Sequence, residues 1–280
     1  MENLLGVMQG RLLPKFQGRY QAHPLGYWEH EFFIAQEIGL DCIEFILDFD
    51  ETEKNPLFYE GGLREIRRLS EKTGVVVKSI CADYFMAAPL HAHNKVTSDK
   101  SLITLKRLIE SSATLGVKDI VLPCVDQASL KTANDINKLV VQLSKITKVL
   151  EHFDVQVCLE TDLAPRPFAE LLRRIDSRQV TVNYDMGNSA SLGYNPLEEL
   201  DAYGSYISDV HIKDRVLNGG PTFLGEGHAN FKAIFTKLGM LNYRGPFIMQ
   251  AFRDDEGVGV FKKQLDWIRP YFDYLSRPQP

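Results

Sequence analysis

Three consecutive strand-like runs decide how this chain is read: DVQVCLETD at 154–162, VTVNYDMG at 180–187 and ISDVHIKD at 207–214. Each is short and built on residues such as Val, Ile, Leu, Cys or Tyr, and each carries polar or charged side chains towards its carboxyl end. Runs of this kind suit parallel strands covered on both faces. Outward from them, similar runs stand at 4–9 (LLGVMQ), 42–48 (CIEFILD), 75–83 (VVVKSICAD), 119–126 (DIVLPCVD) and 246–252 (PFIMQAF). Amphipathic stretches lie between. SDKSLITLKRLIESSATLG at 98–116 puts Leu102, Leu105, Leu108 and Ile109 on one face, with Ser98 as the expected cap and Gly116 as the stop. ANDINKLVVQLSKITKVLEHF at 133–153 predicts one long helix, striped by Ile136, Leu139, Val140, Leu143 and Ile146.

Eight strand–helix units in 280 residues give about 35 residues per unit, the size of one βα repeat. Alternating strands and helices imply a parallel sheet, and eight repeats close into a (β/α)8 barrel. An open doubly wound sheet competes. No G-x-G-x-x-G follows the first strand, however, where Gly6 and Gly10 stand alone. No Pro/Gly/Ser linker or charge block divides the chain, so a single α/β TIM-barrel domain is expected over residues 1–280.

Lys and Arg total 32 against 37 Asp and Glu, a net charge of −5 with no basic block. That argues against nucleic acid or an anionic membrane as partner. No apolar run approaches the ~20 residues of a membrane helix, and Met-Glu-Asn opens without the basic region of a signal peptide. Cys42, Cys81, Cys124 and Cys158 sit in apolar runs with no C-x-x-C pair, as reduced core thiols do. A cytoplasmic enzyme-sized protein is the expectation.

In such barrels the working residues lie at the carboxyl ends of the strands. Those ends offer Gln9, Arg11, Glu44, Asp48, Asp83, Cys124, Asp126, Glu160, Asp162, Asp185 and Asn188. The last two strands add His211, Lys213, Asp214, Arg215, Gln250 and Arg253. A charge inside a strand is costly unless paired or bound to a metal. Glu160, Asp185 and His211 come from neighbouring strands and can converge on one point. Two carboxylates and an imidazole suit Mn²⁺, Mg²⁺, Co²⁺ or Zn²⁺ without singling one out. Plainer roles stand beside this one: Glu160 bonding a loop, Asp185 capping the Met-Gly-Asn turn, His211 as a satisfied core histidine. Arg11, Lys213 and Arg215 are candidates for a substrate phosphate or carboxylate, with rim ion pairs as the alternative. Glu44 is a candidate substrate or supporting contact, and Glu226, between two glycines, a candidate acid/base group.

LGVMQGRL at 5–12, CLETD at 158–162, NYDMGN at 183–188, DVHIKDR at 209–215 and LGEGHANF at 224–231 resemble the xylose-isomerase-like TIM-barrel family. That family contains sugar-phosphate isomerases and epimerases, and apurinic endonucleases. The resemblance implies one divalent ion held by Glu160, Asp185, His211 and, in the position of a fourth-ligand Glu, Gln250. Gln250 is a departure: its amide oxygen can ligate a hard cation but cannot act as a base. Asn188 replaces a family histidine and is a candidate substrate contact. With Asp83 it fails to supply the extra histidines of a three-zinc endonuclease, which disfavours a nuclease.

The activity so implied is isomerisation or epimerisation of a small sugar or sugar phosphate through an enediolate, with Glu160 as base as well as ligand. Gln250 shifts the balance towards a one-base aldose–ketose conversion, unless Glu226 or His228 restores a second acid/base group. A metal-dependent sugar-acid dehydration is also open. The reading from another class is a non-catalytic barrel that binds a sugar or a protein partner through a degenerate site. Barrels of this family commonly pair, so a homodimer is compatible with the resemblance.

Overall fold

Apolar runs that must bury both faces have a stable solution when the sheet closes on itself beneath a ring of helices. The computed structural model, which describes residues 3–254 and 257–276, takes that solution. Eight parallel strands are β1 (Leu5–Met8), β2 (Cys42–Ile46), β3 (Val76–Cys81), β4 (Asp119–Cys124), β5 (Gln156–Thr161), β6 (Val180–Asp185), β7 (Ile207–Ile212) and β8 (Phe247–Met249). They close in the order β1-β8-β7-β6-β5-β4-β3-β2, the expected barrel. The register sets Asp185 of β6 directly beside His211 of β7.

Side chains alternate across each strand. One set packs outward against the helices in a continuous apolar layer that includes Ile43, Phe45, Ile80, Leu122, Val157, Val210 and Phe247. The other set fills the barrel. Part of it is apolar (Met8, Cys42, Ile46, Cys81, Val121, Cys158 and Ile248). Among these inward positions Glu44, Ser79, Asn183, Asp209 and His211 form a buried polar layer. All four cysteines are free and buried, as expected.

Every predicted strand overran its carboxyl end by one to three residues, because residues such as Leu47 and Ala82 stay buried after the ladder stops. The helix expected at 98–116 starts earlier, at Lys95–Leu115. Asn94 caps it by accepting from the amides of Val96 and Thr97, while Ser98 lies inside it and donates its hydroxyl to the Leu90 carbonyl. Gly116 ends it at φ 73°, as the sequence implies. The run at 133–153 divides into Ala133–Ser144 and Thr147–Phe153, and the break leaves Ile146 fully buried. Among the described residues no helix is long and apolar enough to cross a membrane.

Candidate metal centre

Glu160, Asp185 and His211 converge at the carboxyl end of β5–β7, each offering one ligand atom within 4.8 Å of the others. All three are buried. Asp185 divides its carboxylate between two tasks. Oδ1 accepts from the Asn188 amide at 2.7 Å and so caps the following turn, while Oδ2 faces Lys213 Nζ at 3.3 Å and His211 Nδ1 at 3.8 Å. The plain capping role and the ligand role are thus both available to one side chain.

His211 Nε2 lies 2.8 Å from Glu44 Oε1, and Ser79 donates to the other Glu44 oxygen at 2.5 Å. Its Nδ1 is buried without a hydrogen-bond partner. A ligating histidine is held in this way, one ring nitrogen fixed by a carboxylate and the other bare towards the ion. Gln250 Oε1 is likewise buried and unpartnered, since Gln250 spends its Nε2 on Gln21 Oε1 at 2.7 Å. Two carboxylates, one bare imidazole nitrogen and one orphaned amide oxygen fit a divalent cation, and an orphaned buried polar atom is otherwise costly.

The groups of the cluster also shift one another's titration. Burial and the Asp185 charge push Glu160 above the ordinary carboxylate range, against the pull of His211 and Lys213. Asp185 itself falls below that range: burial opposes this, but Lys213 and His211 outweigh it. Burial also opposes protonation of His211, yet Glu44 and Asp185 raise it well above its usual value.

A cavity of about 400 Å³ opens over the cluster, lined by Glu160, Asn188, Lys213, Arg215 and Gln250, with Asp83 and the apolar Phe49 and Met86. Asn188 is fixed by cations that can only donate: its Oδ1 receives Lys213 Nζ at 3.3 Å and Arg215 Nη1 at 2.8 Å. Its Nδ2 is thereby aimed at Glu160 Oε1, 2.6 Å away. The remaining Arg215 contacts, from Nε and Nη2, go to the Gly219 carbonyl.

Other expected site residues stand elsewhere. Glu44 does not line the cavity; it is fully buried behind His211. Arg11 lies behind the wall as well, with Nη2 donating to Gln21 Oε1 at 3.2 Å, and burial lowers it to about 10. Glu226 is not brought to the cavity: it is exposed on its loop. Asp214 is what organises that loop, accepting from the amides of Gly225, Gly227 and Ala229 at 2.9–3.0 Å. A Cβ at Gly227 would sit 2.2 Å from Asp214 Oδ1, so this approach needs glycine. His228 Nδ1 accepts from the Leu217 amide. Sequence reasoning missed Gln21, twelve residues beyond the Gln9 strand end in a long loop, while Asp209, a candidate rim partner of Lys213 or Arg215, is fully buried instead. Asp209 Oδ1 receives Asn183 Nδ2 at 3.1 Å within the buried polar layer.

Comparison with known proteins gives the class. Residues 32–271 match the xylose isomerase-like TIM barrel model, and the chain belongs to that family. A curated relative, the L-ribulose-5-phosphate 3-epimerase UlaE of Escherichia coli, is 21% identical over 257 residues, covering 86% of this chain and 89% of its own. Among solved structures, the 3-keto-D-glucoside 4-epimerase YcjR of Escherichia coli superposes with a TM-score of 0.74 at 18% identity, covering 96% of this chain and 100% of that one. A xylose isomerase-like TIM barrel protein of Mycobacterium smegmatis, solved in complex with magnesium, gives 0.73 at 17% identity over 98% of both chains. The expectation of an enzyme of the sugar isomerase and epimerase kind agrees with the names of these relatives.

Proposed function

We propose that the chain is a divalent-metal-dependent isomerase or epimerase of a small sugar or sugar phosphate, acting in the cytoplasm. Glu160, Asp185, His211 and Gln250 would hold one ion. The observation that carries this reading is His211, anchored through Nε2 by Glu44 and bare at Nδ1 against two carboxylates. A bound dication would supply positive charge to the oxygens on which an enediolate develops. Glu160 takes and returns the proton at the neighbouring carbon, and Asn188, held by Lys213 and Arg215, keeps one Glu160 oxygen in place. Phe49 and Met86 offer an apolar wall for the carbon face of the sugar.

Solvent-hydrogen exchange at carbon tests the proposal. Ketopentoses, ketohexoses and ribulose 5-phosphate are incubated with the Mn²⁺-loaded protein in D₂O and followed by proton NMR. Deuterium uptake next to the carbonyl, lost on removal of the metal, is the expected result. Stoichiometric metal with no exchange into any sugar of the panel would favour a binding barrel instead.

A further inference from the structure

We infer that Gln21 is a positioning residue for metal binding, which locks the Gln250 amide with its oxygen turned into the site; the inference rests on the metal-dependent reading above. The two ends of a side-chain amide are told apart by their partners. Arg11 can only donate, and its Nη2 lies 3.2 Å from one end of Gln21, so that end is the oxygen Oε1. The other end, Nε2, accordingly donates to Asp83 Oδ2 at 3.0 Å. An oxygen cannot donate to Gln250, so the Gln250 atom 2.7 Å from it is Nε2. Gln250 Oε1 is the end left over. It is buried, lacks any hydrogen-bond donor, and belongs to a side chain that lines the same cavity as Glu160.

The relay is built into the fold before any ligand arrives. Asp48 pins the loop on both sides of Gln21, through Arg19 Nη1 at 3.0 Å and the His23 amide at 2.7 Å. The carbonyls of Tyr20 and Ala22 rest against Gly10, where a Cβ would lie 2.0 Å from the Tyr20 oxygen. Gly10 also has φ +88°, a left-handed conformation that favours glycine.

The need for such a relay follows from the residue at 250. A glutamate would present an oxygen to a cation whichever way its terminal group turned. A glutamine does so in only one of two orientations, and in the other it turns an NH₂ group towards the ion. Gln250 therefore depends on a neighbour that fixes its sense, and Gln21 is that neighbour.

The test is Mn²⁺ titration of the metal-free full chain by calorimetry. Gln21→Met should weaken Mn²⁺ binding about tenfold or more, the usual scale for losing a group that orients a ligand. Gln21→Glu keeps an acceptor for both Arg11 and Gln250 but sets an oxygen against Asp83 Oδ2, so it is paired with Asp83→Asn, whose amide can donate in return; this double variant should stay close to the unaltered protein. In a Gln250→Glu background, Gln21→Met should cost nothing or strengthen binding, because Gln21 Oε1 would there face a carboxylate oxygen. Equal weakening by Gln21→Met in both backgrounds, or none in the native background, overturns the inference and leaves the metal reading intact. If the unaltered protein takes up no Mn²⁺, the metal reading falls and the inference falls with it.

Discussion

Glu44 and His211 stand on strands separated by β1 and β8, yet they meet across the barrel with both side chains fully buried and Nε2 2.8 Å from Oε1. The contact does more than satisfy two polar groups. It commits Nε2, so only Nδ1 is left for Asp185 and the site. Glu44→Gln keeps the size but weakens the hold on the imidazole. Mn²⁺ affinity should fall by about 10–100-fold, as for other groups that orient a metal-bound histidine. Titration calorimetry on the folded variant checks this, and unchanged affinity would make the pair purely structural.

Asp185→Asn should lose most of the bound metal and keep the fold. An asparagine oxygen can still accept from the Asn188 amide, as asparagine does at helix N-termini, so the turn after β6 survives. The charge that faces His211 and Lys213 does not survive. Elemental analysis after dialysis, with far-UV circular dichroism as the fold control, reads the two effects separately. His211→Ala should behave alike in metal content. Full metal occupancy in both variants would place the ion elsewhere.

The strand ends explain how much of this was legible. Glu160, Asp185 and His211 each fall towards the carboxyl end of a strand-like run, after Val-Cys-Leu, Val-Asn-Tyr and Ser-Asp-Val, so their place at the barrel mouth could be read from one dimension. The Glu44–His211 contact spans 167 residues and exists only because the sheet closes, so no local pattern announces it. Gln21 gave no signal for a similar reason: it lies in a loop whose path is set by Asp48 and Gly10. Glu226 reads as a site residue because it stands between glycines, and the structure leaves it exposed outside the cavity. Those glycines are there for Asp214, whose carboxylate gathers the loop amides.

His23 should make stability pH-dependent. It is boxed by Trp28 and Phe45, and burial lowers its pKa to about 3 from a usual 6.5. Between those values the unfolded chain binds the extra proton, so stability is full above about pH 6.5 and is lost as pH falls towards 3. One such group contributes a slope of up to about 1.4 kcal/mol per pH unit. Chemical denaturation from pH 7 to pH 4 should therefore show a shallower decline in His23→Phe than in the unaltered protein. Parallel curves would mean that His23 is protonated in the folded state.

Arg215 reads from sequence as a phosphate receptor, yet its guanidinium is occupied by Asn188 and the Gly219 carbonyl. Its loss should act through Asn188 on Glu160. Arg215→Ala is expected to lower kcat about tenfold, matching the low end of a hydrogen bond to a charged group at ~1.5 kcal/mol, with little change in KM. Steady-state kinetics on a sugar and its phosphate ester decides the matter. A KM increase confined to the phosphorylated substrate, at constant kcat, would restore Arg215 as the anion contact.

Glu160→Gln separates the two roles given to Glu160. The amide keeps the size and one oxygen that can ligate a cation, but it cannot take a proton. If Glu160 is the base, kcat should fall by about 10²–10⁴-fold, and deuterium exchange next to the carbonyl should vanish with it. The loss must persist at saturating Mn²⁺, because a side chain that served only as ligand would be rescued by more metal. Gln250→Glu probes the other face of the same reaction. A second carboxylate beside the reacting carbon can deliver a proton from the side opposite Glu160, so epimerisation should rise relative to aldose–ketose conversion of the same sugar. Product ratios measured by chromatography report that balance. Efficient epimerisation by the unaltered protein, retained when Glu226 and His228 are replaced, would show that a single carboxylate suffices or that another residue of the cavity, such as Asp83, is the second base.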